Sequence, residues 1–498
     1  MWWAGLLLFF TLAAAWALAT PYNATYDEHD HVVRAAGVVR GQILVPPSYG
    51  KGDGGIVDVP ASLVPPNPTC MVVSISPPPA SCLGTPPDDS RLVPVHSRAA
   101  RYNPVYYAVV GWPLLAFPNM TGVLLARLLS AALCAALLAT ALALLWPLRS
   151  NRLLLLALLV AVSPIVTALN GLVNPGGVAI AAAILMWVAL LRLLTEEGPD
   201  RTRLAAITAG AAAAIVLTRV EGIVLVGAIA VLAWVAVGLR RPERIRWTPG
   251  TIAAAATVPA AVALCGTWML ISRVASFGTQ GLPPPKPFTE RVLTIVEYNF
   301  DYWLRGTIGL FGYGTIGLPL WAYWAWTTVA GALLVAGFAY AGRWRLGYTM
   351  LAVPVLCFVL GFALDIYMSG SVGYYMQGRY MLPLWVGAFF LAAWAVRDRP
   401  EGPPLRRAYG LGVALWCSVN VVALAVALTG YSHGKLARGV VTSAARWTPQ
   451  VGMVTPYVIL LAGLVGAVAL THRYLNVPAP RPASDPQPVP DHVAVGAT

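Results

Sequence analysis

Long apolar runs separated by short polar connections fill most of the chain, and most of the runs have a similar length. Such a run can cross a hydrocarbon core of roughly 30 Å as a helix, which satisfies its own backbone hydrogen bonds in lipid. Read in order, they predict about twelve spans, near 3–20, 120–147, 153–169, 178–194, 204–218, 222–239, 251–272, 320–341, 347–366, 380–396, 409–430 and 451–470. The chain reads as an all-α polytopic membrane protein.

Polar stretches set the organisation around those spans. Residues 1–20 form the first transmembrane helix, and 21–119 a large loop with an amphipathic helix and a re-entrant segment. Two bundles, 120–272 and 320–473, flank a second amphipathic segment at 273–319. Residues 474–498 form a Pro-rich polar tail of disordered composition.

Charge orients the spans. Arginines occupy alternate connections: Arg149 and Arg152; Arg201 and Arg203; Arg240, Arg241, Arg244 and Arg246; Arg343 and Arg345; Arg397, Arg399, Arg406 and Arg407. Connections 170–177 and 367–378 hold no Lys or Arg. The positive-inside rule then places both termini in the cytoplasm and makes the 21–119 and 273–319 segments extracytoplasmic. The first apolar run lacks a basic n-region, so it reads as a span rather than a signal peptide.

Composition agrees. The 498 residues are 58% hydrophobic and 11% charged, with mean hydropathy +0.69, whereas soluble domains carry about 25% charged residues. The net charge of +13 lies in the arginines of short connections, so nucleic acid is not an implied partner; membrane lipid is.

Chemistry concentrates outside. Directly after the first span, Asp27, Glu28, His29, Asp30 and His31 stand in succession. "TYDE" has the form of a capping box, with Thr25 at N-cap and Glu28 at N3. Val32, Val33, Ala36, Val38 and Val39 supply an apolar stripe, and Gly41 a stop. The pattern predicts an amphipathic helix over 26–40, lying in the interface. His31 shares a face with Asp27 and Glu28. Five ionisable groups beside a bilayer usually mark a site. Asp27, Glu28, Asp30 and His31 could also bind a hard divalent cation, although "DEHDH" lacks zinc-protease spacing.

Cys70 and Cys82 flank "MVVSISPPPAS", which reads as a short strand and a turn on the oxidising side, and pair as a disulfide. The remaining cysteines fall in spans. "YYMQGRYMLPLW" places Arg379 where an outer connection enters a span; its fork of donors matches phosphate, and Asp365 is its alternative partner. Asn174 and Pro175 have the form of an N-cap and N1 pair. Arg219 and Glu221 lie at the same boundary, as an ion pair or a second phosphate contact.

These motifs together resemble a known family. D-E-x-x-H (Asp27, Glu28, His31), Asn-Pro before tyrosines (Asn103, Pro104, Tyr106, Tyr107), Asn-Pro-x-Gly (Asn174, Pro175, Gly177) and Q-G-R-Y-x-x-P (Gln377, Gly378, Arg379, Tyr380, Pro383) are similar to those of bacterial multispanning membrane proteins of unassigned function. That family is similar in layout to the GT-C superfamily of polyprenyl-phosphate-sugar glycosyltransferases. Tyr26 and Arg219-Val-Glu221 depart from its pattern, which has proline before the acidic pair and Arg-Pro at the arginine.

The resemblance implies a GT-C-like fold in the bacterial cytoplasmic membrane. It also implies inverting sugar transfer from a polyprenyl-phosphate donor to an envelope glycan or lipid acceptor. Asp27, Glu28 and His31 would form the catalytic group, with Asp27 as base. Arg379, Gln377, Tyr380 and Arg219 would bind the donor phosphate, while Asn103, Tyr106, Tyr107, Asn174 and Tyr375 line the cavity. A monophosphate donor makes no cofactor obligatory, and a divalent cation is an option. The rival class is a transporter or flippase of envelope precursors. It would carry ionisable groups at mid-span, where only Arg127 approaches that position.

Overall fold

A computed structural model describes residues 1–46, 54–72, 78–148, 152–196, 200–238, 248–274, 286–342, 344–369, 373–397, 403–434 and 447–476. Its helices in chain order are α1 (Trp2–Ala19), α2 (Glu28–Val38), α3 (Pro104–Val110), α4 (Trp112–Ala116), α5 (Met120–Leu145), α6 (Arg152–Ala161), α7 (Pro164–Asn170), α8 (Pro175–Thr195) and α9 (Arg201–Thr218). Then follow α10 (Gly222–Val237), α11 (Pro249–Ser272), α12 (Phe288–Thr294), α13 (Phe300–Ile308), α14 (Leu320–Ala339), α15 (Trp344–Met368), α16 (Gly378–Ala395), α17 (Pro403–His433) and α18 (Val454–Asn476).

Among the described residues, nine helices are long and apolar enough to cross a membrane, and α6 with α7 forms a tenth candidate bent by 63°. Proline causes the bend: Pro164 starts α7 and cannot continue the hydrogen-bond ladder of α6. α10 is shorter, and α16 begins on a polar turn that carries Arg379. The protein is thus a polytopic helical membrane protein.

The helix at the centre is α8, buried from Gly177 to Leu191 and packed on α5, α9 and α16. Small residues allow the approach. A Cβ on Gly387 would lie 2.2 Å from the Trp187 ring, whose indole N–H donates to the Pro383 carbonyl at 3.1 Å. α1 packs on α5 and α18, with Gly5 against Ala139. Without a hydrophobic drive between helices in lipid, such close contacts hold a bundle together.

The loop after α1 folds over one end of the bundle. β1 (Gly55–Pro60) pairs antiparallel with β2 (Leu92–Ser97), Val57 opposite Val95. Cys70 and Cys82 are disulfide-bonded. Segment 101–118 contains α3 and α4, and a π-helical turn, Ile295–Asn299, joins α12 to α13. A second short hairpin pairs β3 (Leu310–Phe311) with β4 (Ile316–Gly317).

Two local expectations are corrected. The amphipathic helix does not present a free apolar face. α2 is buried along most of its length beneath α3, α4 and the β1–β2 hairpin. A Cβ on Gly37 would stand 2.4 Å from Val57, and the buried Arg34 guanidinium donates to the carbonyls of Gln42, Ile43 and Tyr102. The capping box also does not form. Asp27, not Thr25, precedes the helix, in the left-handed conformation (φ 57°, ψ 8°), and makes no side-chain cap bond. The Glu28 carboxylate is drawn elsewhere. Gly41, at φ +85°, closes the helix with Gln42 N–H donating to the Gly37 carbonyl. The strand expected within "MVVSIS", residues 149, 240–246, 343 and 399, and the tail from 477 onward lie outside the described residues.

Candidate active site

The site forms where three chain segments meet: the start of α2, the start of α16 and the link between α9 and α10. Asp27 and Arg379 come together there. One guanidinium nitrogen, Nη2, donates to Asp27 Oδ2 at 2.8 Å and to the Tyr380 hydroxyl at 3.1 Å. Arg379 is buried, and its Nη1 has no hydrogen-bond partner.

The guanidinium is held between rings. It lies 3.8 Å from the Tyr26 centroid and 4.9 Å from that of Tyr380. Tyr380 in turn carries Arg219 at 4.7 Å and stacks on Tyr375 at 5.6 Å. The two arginines therefore lie within cation–π range of one aromatic ring. Tyr26 is itself fixed, because its hydroxyl donates to the Leu310 carbonyl at 2.8 Å. The sequence showed Tyr26 only as a departure from a motif; its place beneath Arg379 had no signal in spacing.

Beside this stack runs a narrow cleft lined by Arg219, Glu221, Arg379, Tyr380 and Gly176, with Pro383 and Ile180 as apolar walls. Gly176 belongs to the first turn of α8. Asn174 caps that helix: its Oδ1 accepts from Gly176 N–H at 2.8 Å, while its Nδ2 donates to the Tyr26 carbonyl at 3.2 Å. The cleft so joins two guanidinium groups with the positive end of a helix dipole, an arrangement that suits an anion. Arg219 is paired with Glu221.

The alternative partner of Arg379 is occupied elsewhere. Asp365 accepts from the backbone N–H groups of Tyr375 (2.8 Å) and Met376 (2.6 Å) and from Asn299 Nδ2 (2.9 Å). It shapes the segment leading into α16 and leaves Arg379 to Asp27. Gln377 sits at the N-cap of α16 with its Oε1 buried and unpartnered.

The remaining expected residues separate into a supporting layer. Glu28 does not join Asp27. It is fully buried and forms a bidentate pair with Arg127 (2.6 and 2.5 Å), and its Oε1 also accepts from Val173 N–H. Arg127 further donates to the Ala17 and Thr20 carbonyls. Glu28 thereby ties α1, α2, α5 and the α7–α8 turn. His31 Nδ1 meets the Tyr107 hydroxyl at 2.8 Å, and the Tyr106 hydroxyl meets Ser130 Oγ at 2.9 Å. Asn103 caps α3 through Val105 N–H. Burial pushes the His31 pKa down to about 3 and that of His29 to about 4. Asp30, half-buried and near Asp27, is raised to about 7, and accepts Arg98 N–H at 2.6 Å.

The acidic cluster is dispersed by the same contacts. Asp27, Glu28, Asp30 and His31 engage four different partners. Among the described residues no group of three or more His, Cys, Asp or Glu side chains is placed to hold a metal ion.

No curated protein matches the chain. The cryo-EM structure of arabinofuranosyltransferase AftD from mycobacteria is similar at 17% identity and a TM-score of 0.43, over 86% of this chain and 27% of that one. The chain thus spans about a quarter of that protein's length. Residues 9–388 match the model of a family described as predicted membrane protein, DUF2142, and the chain belongs to this family.

Proposed function

We propose that the protein is a membrane glycosyltransferase. It moves a sugar from a polyprenyl-phosphate donor to an envelope glycan or lipid acceptor at the outer face of the cytoplasmic membrane. The observation that carries this reading is the meeting of Asp27 and Arg379 beside a cleft that holds Arg219 and the first turn of α8.

The chemistry needs a base and an anion site side by side. An acceptor hydroxyl attacks the anomeric carbon as the bond from that carbon to the phosphate oxygen breaks. The hydroxyl proton passes to the Asp27 carboxylate, and the electron pair of the broken bond leaves on polyprenyl phosphate. A carboxylate within reach of the hydroxyl supplies the general base. Arg379, and Arg219 behind Tyr380, stabilise the charge that develops on the leaving oxygen. Attack opposite the leaving phosphate inverts the anomeric centre. The span-length helices beneath the cleft suit a lipid-borne donor, whose tail stays in the membrane.

Incubation of purified protein with a panel of polyprenyl-phosphate sugars tests the reading. Release of polyprenyl phosphate from one donor, dependent on an acceptor, is the expected result. Silence with every donor, alongside intact folding, would end it.

A further inference from the structure

Three arginine–carboxylate pairs stand near the head of the bundle, and they differ in kind. Arg127–Glu28 is bidentate, with both side chains almost fully buried, and Arg127 also holds backbone carbonyls. Arg219 grips Glu221 through two nitrogens, two residues away in sequence. Arg379–Asp27 is a single-point contact, and the Asp27 side chain is 30% exposed. Arg379 alone of the three keeps a buried Nη1 without a partner while lining the cleft.

A buried donor without an acceptor carries a desolvation cost that a bound anion would remove. A fork-shaped cation held by one oxygen is also only half used, because guanidinium binds carboxylate or phosphate best through two parallel bonds. Tyr26 and Tyr380 contact the guanidinium independently of the Asp27 bond, so two contacts to Arg379 do not depend on Asp27.

We infer that Asp27 occupies part of a phosphate site, so that Asp27 and an incoming phosphate monoester or diester compete for Arg379. The inference rests on the glycosyltransferase reading for its consequence. With the cleft empty, Asp27 is tied to Arg379 and is not available as a base. Phosphate on Arg379 frees the carboxylate, so donor binds before acceptor, and the base is exposed only when a donor is in place. The device limits hydrolysis, because Asp27 is released to activate a nucleophile only inside the loaded site. Asp27 at a left-handed backbone position suits exchange for asparagine, which tolerates the same conformation.

Calorimetric titration of full-length protein in nanodiscs, with inorganic phosphate and with dodecyl phosphate, tests the competition. Asp27→Asn should bind dodecyl phosphate roughly three- to tenfold tighter than the parent chain, because a partly exposed pair is worth modest energy. The double variant Asp27→Asn with Arg379→Ala should lose that gain. If only dodecyl phosphate responds, the ligand is a lipid-borne phosphate; if both respond, the site also takes the free ion. Either result supports competition. Unchanged or weaker binding by Asp27→Asn, with the melting temperature retained, would overturn it. If Asp27→Asn melts early, Arg379→Lys supplies the second arm. Lysine lacks the fork, so the variant should bind less tightly than the parent; parental affinity would count against the site. Tighter binding by Asp27→Asn, with no sugar release by the parent chain from any donor, leaves the competition standing and removes the glycosyltransferase reading. Sugar release without tighter binding does the reverse.

Discussion

Asp27 and Glu28 are adjacent in sequence and bind different arginines: Asp27 meets Arg379 at 2.8 Å, and Glu28 meets Arg127 at 2.5 Å. The turn at Asp27, in the left-handed region, separates the two carboxylates. One meets an arginine that lines the cleft, and the other is buried against α5. The consequences for substitution are opposite, although each change removes one negative charge.

Asp27→Asn should abolish transfer while donor binding persists. A base acts mainly in the transition state, so its loss should lower kcat by about 2–4 decades. The donor KM should fall, since the competing carboxylate is gone. Polyprenyl phosphate release measured across donor concentrations separates the two constants. A raised KM with kcat retained would contradict the role.

Arg379→Ala should weaken both constants. The guanidinium would touch phosphate in the ground state and more strongly as charge develops on the leaving oxygen. Arg379→Lys should recover only part of the activity, because a point charge cannot reproduce the fork. Full recovery by lysine in the same assay would show that charge alone matters.

How far the sequence reached can be judged from these residues. The helical runs were legible because lipid demands length and apolarity from each span. Asp27, Arg379 and Arg219 stood out in the sequence as candidates because a charge at a span end has few other uses. The partner of each charge was not legible. Glu28 has capping-box spacing from Thr25, yet its contact is Arg127, 99 residues on, and no local pattern encodes that distance. The same holds for α2, whose stripe reads as interfacial until α3, α4 and the β1–β2 hairpin pack on it. Tyr26 and Asp365 act through stacking and backbone acceptance, which leave no periodic trace.

Glu28→Gln should act on stability rather than on chemistry. It leaves the Arg127 charge buried without its counter-ion, which typically costs about 3–5 kcal/mol. The remaining bonds to the Ala17 and Thr20 carbonyls offset part of that. A melting temperature several degrees lower in detergent is the expected result. An unchanged melting curve with lost activity would return Glu28 to the catalytic group.

Acid should destabilise the fold through the histidines of α2. His29 and His31 bind protons near pH 4 and 3 when folded, against about 6.5 in an unfolded chain. Between these values the unfolded state holds more protons, so stability is present above about pH 6.5 and is lost as pH falls toward 4. Asp30 acts in the other direction. Its folded value of about 7 lies above the ordinary carboxylate range, so its contribution is present at low pH and is lost as pH rises toward 7. Melting temperatures from pH 8 to 4 should fall on the acid side, and His31→Gln should flatten that limb. A limb that is as steep in His31→Gln would assign the effect to other groups.

Gly378→Ala should disable the site from one residue away. A Cβ at Gly378 would lie 2.0 Å from the Trp303 carbonyl oxygen and 2.7 Å from backbone atoms of Gly306 and Thr307. All three are main-chain atoms of α13, so no side chain can rotate aside and the two helices must part. Trp303 also donates its indole N–H to the Met376 carbonyl at 3.1 Å, so the displacement strains the segment shaped by Asp365 as well. Arg379 is the next residue, and its guanidinium would leave the gap between Tyr26 and Tyr380. A misplacement of about 1 Å can cost about 100-fold in rate, and overpacking of this kind costs about 1–3 kcal/mol in stability. Gly410→Ala is the matched control, since a Cβ there meets nothing within 4 Å and helix propensity favours alanine. Sugar release and dodecyl phosphate binding should both fall in Gly378→Ala and persist in Gly410→Ala. Equal behaviour of the two variants would mean that the close approach of α13 and α16 does not set the position of Arg379.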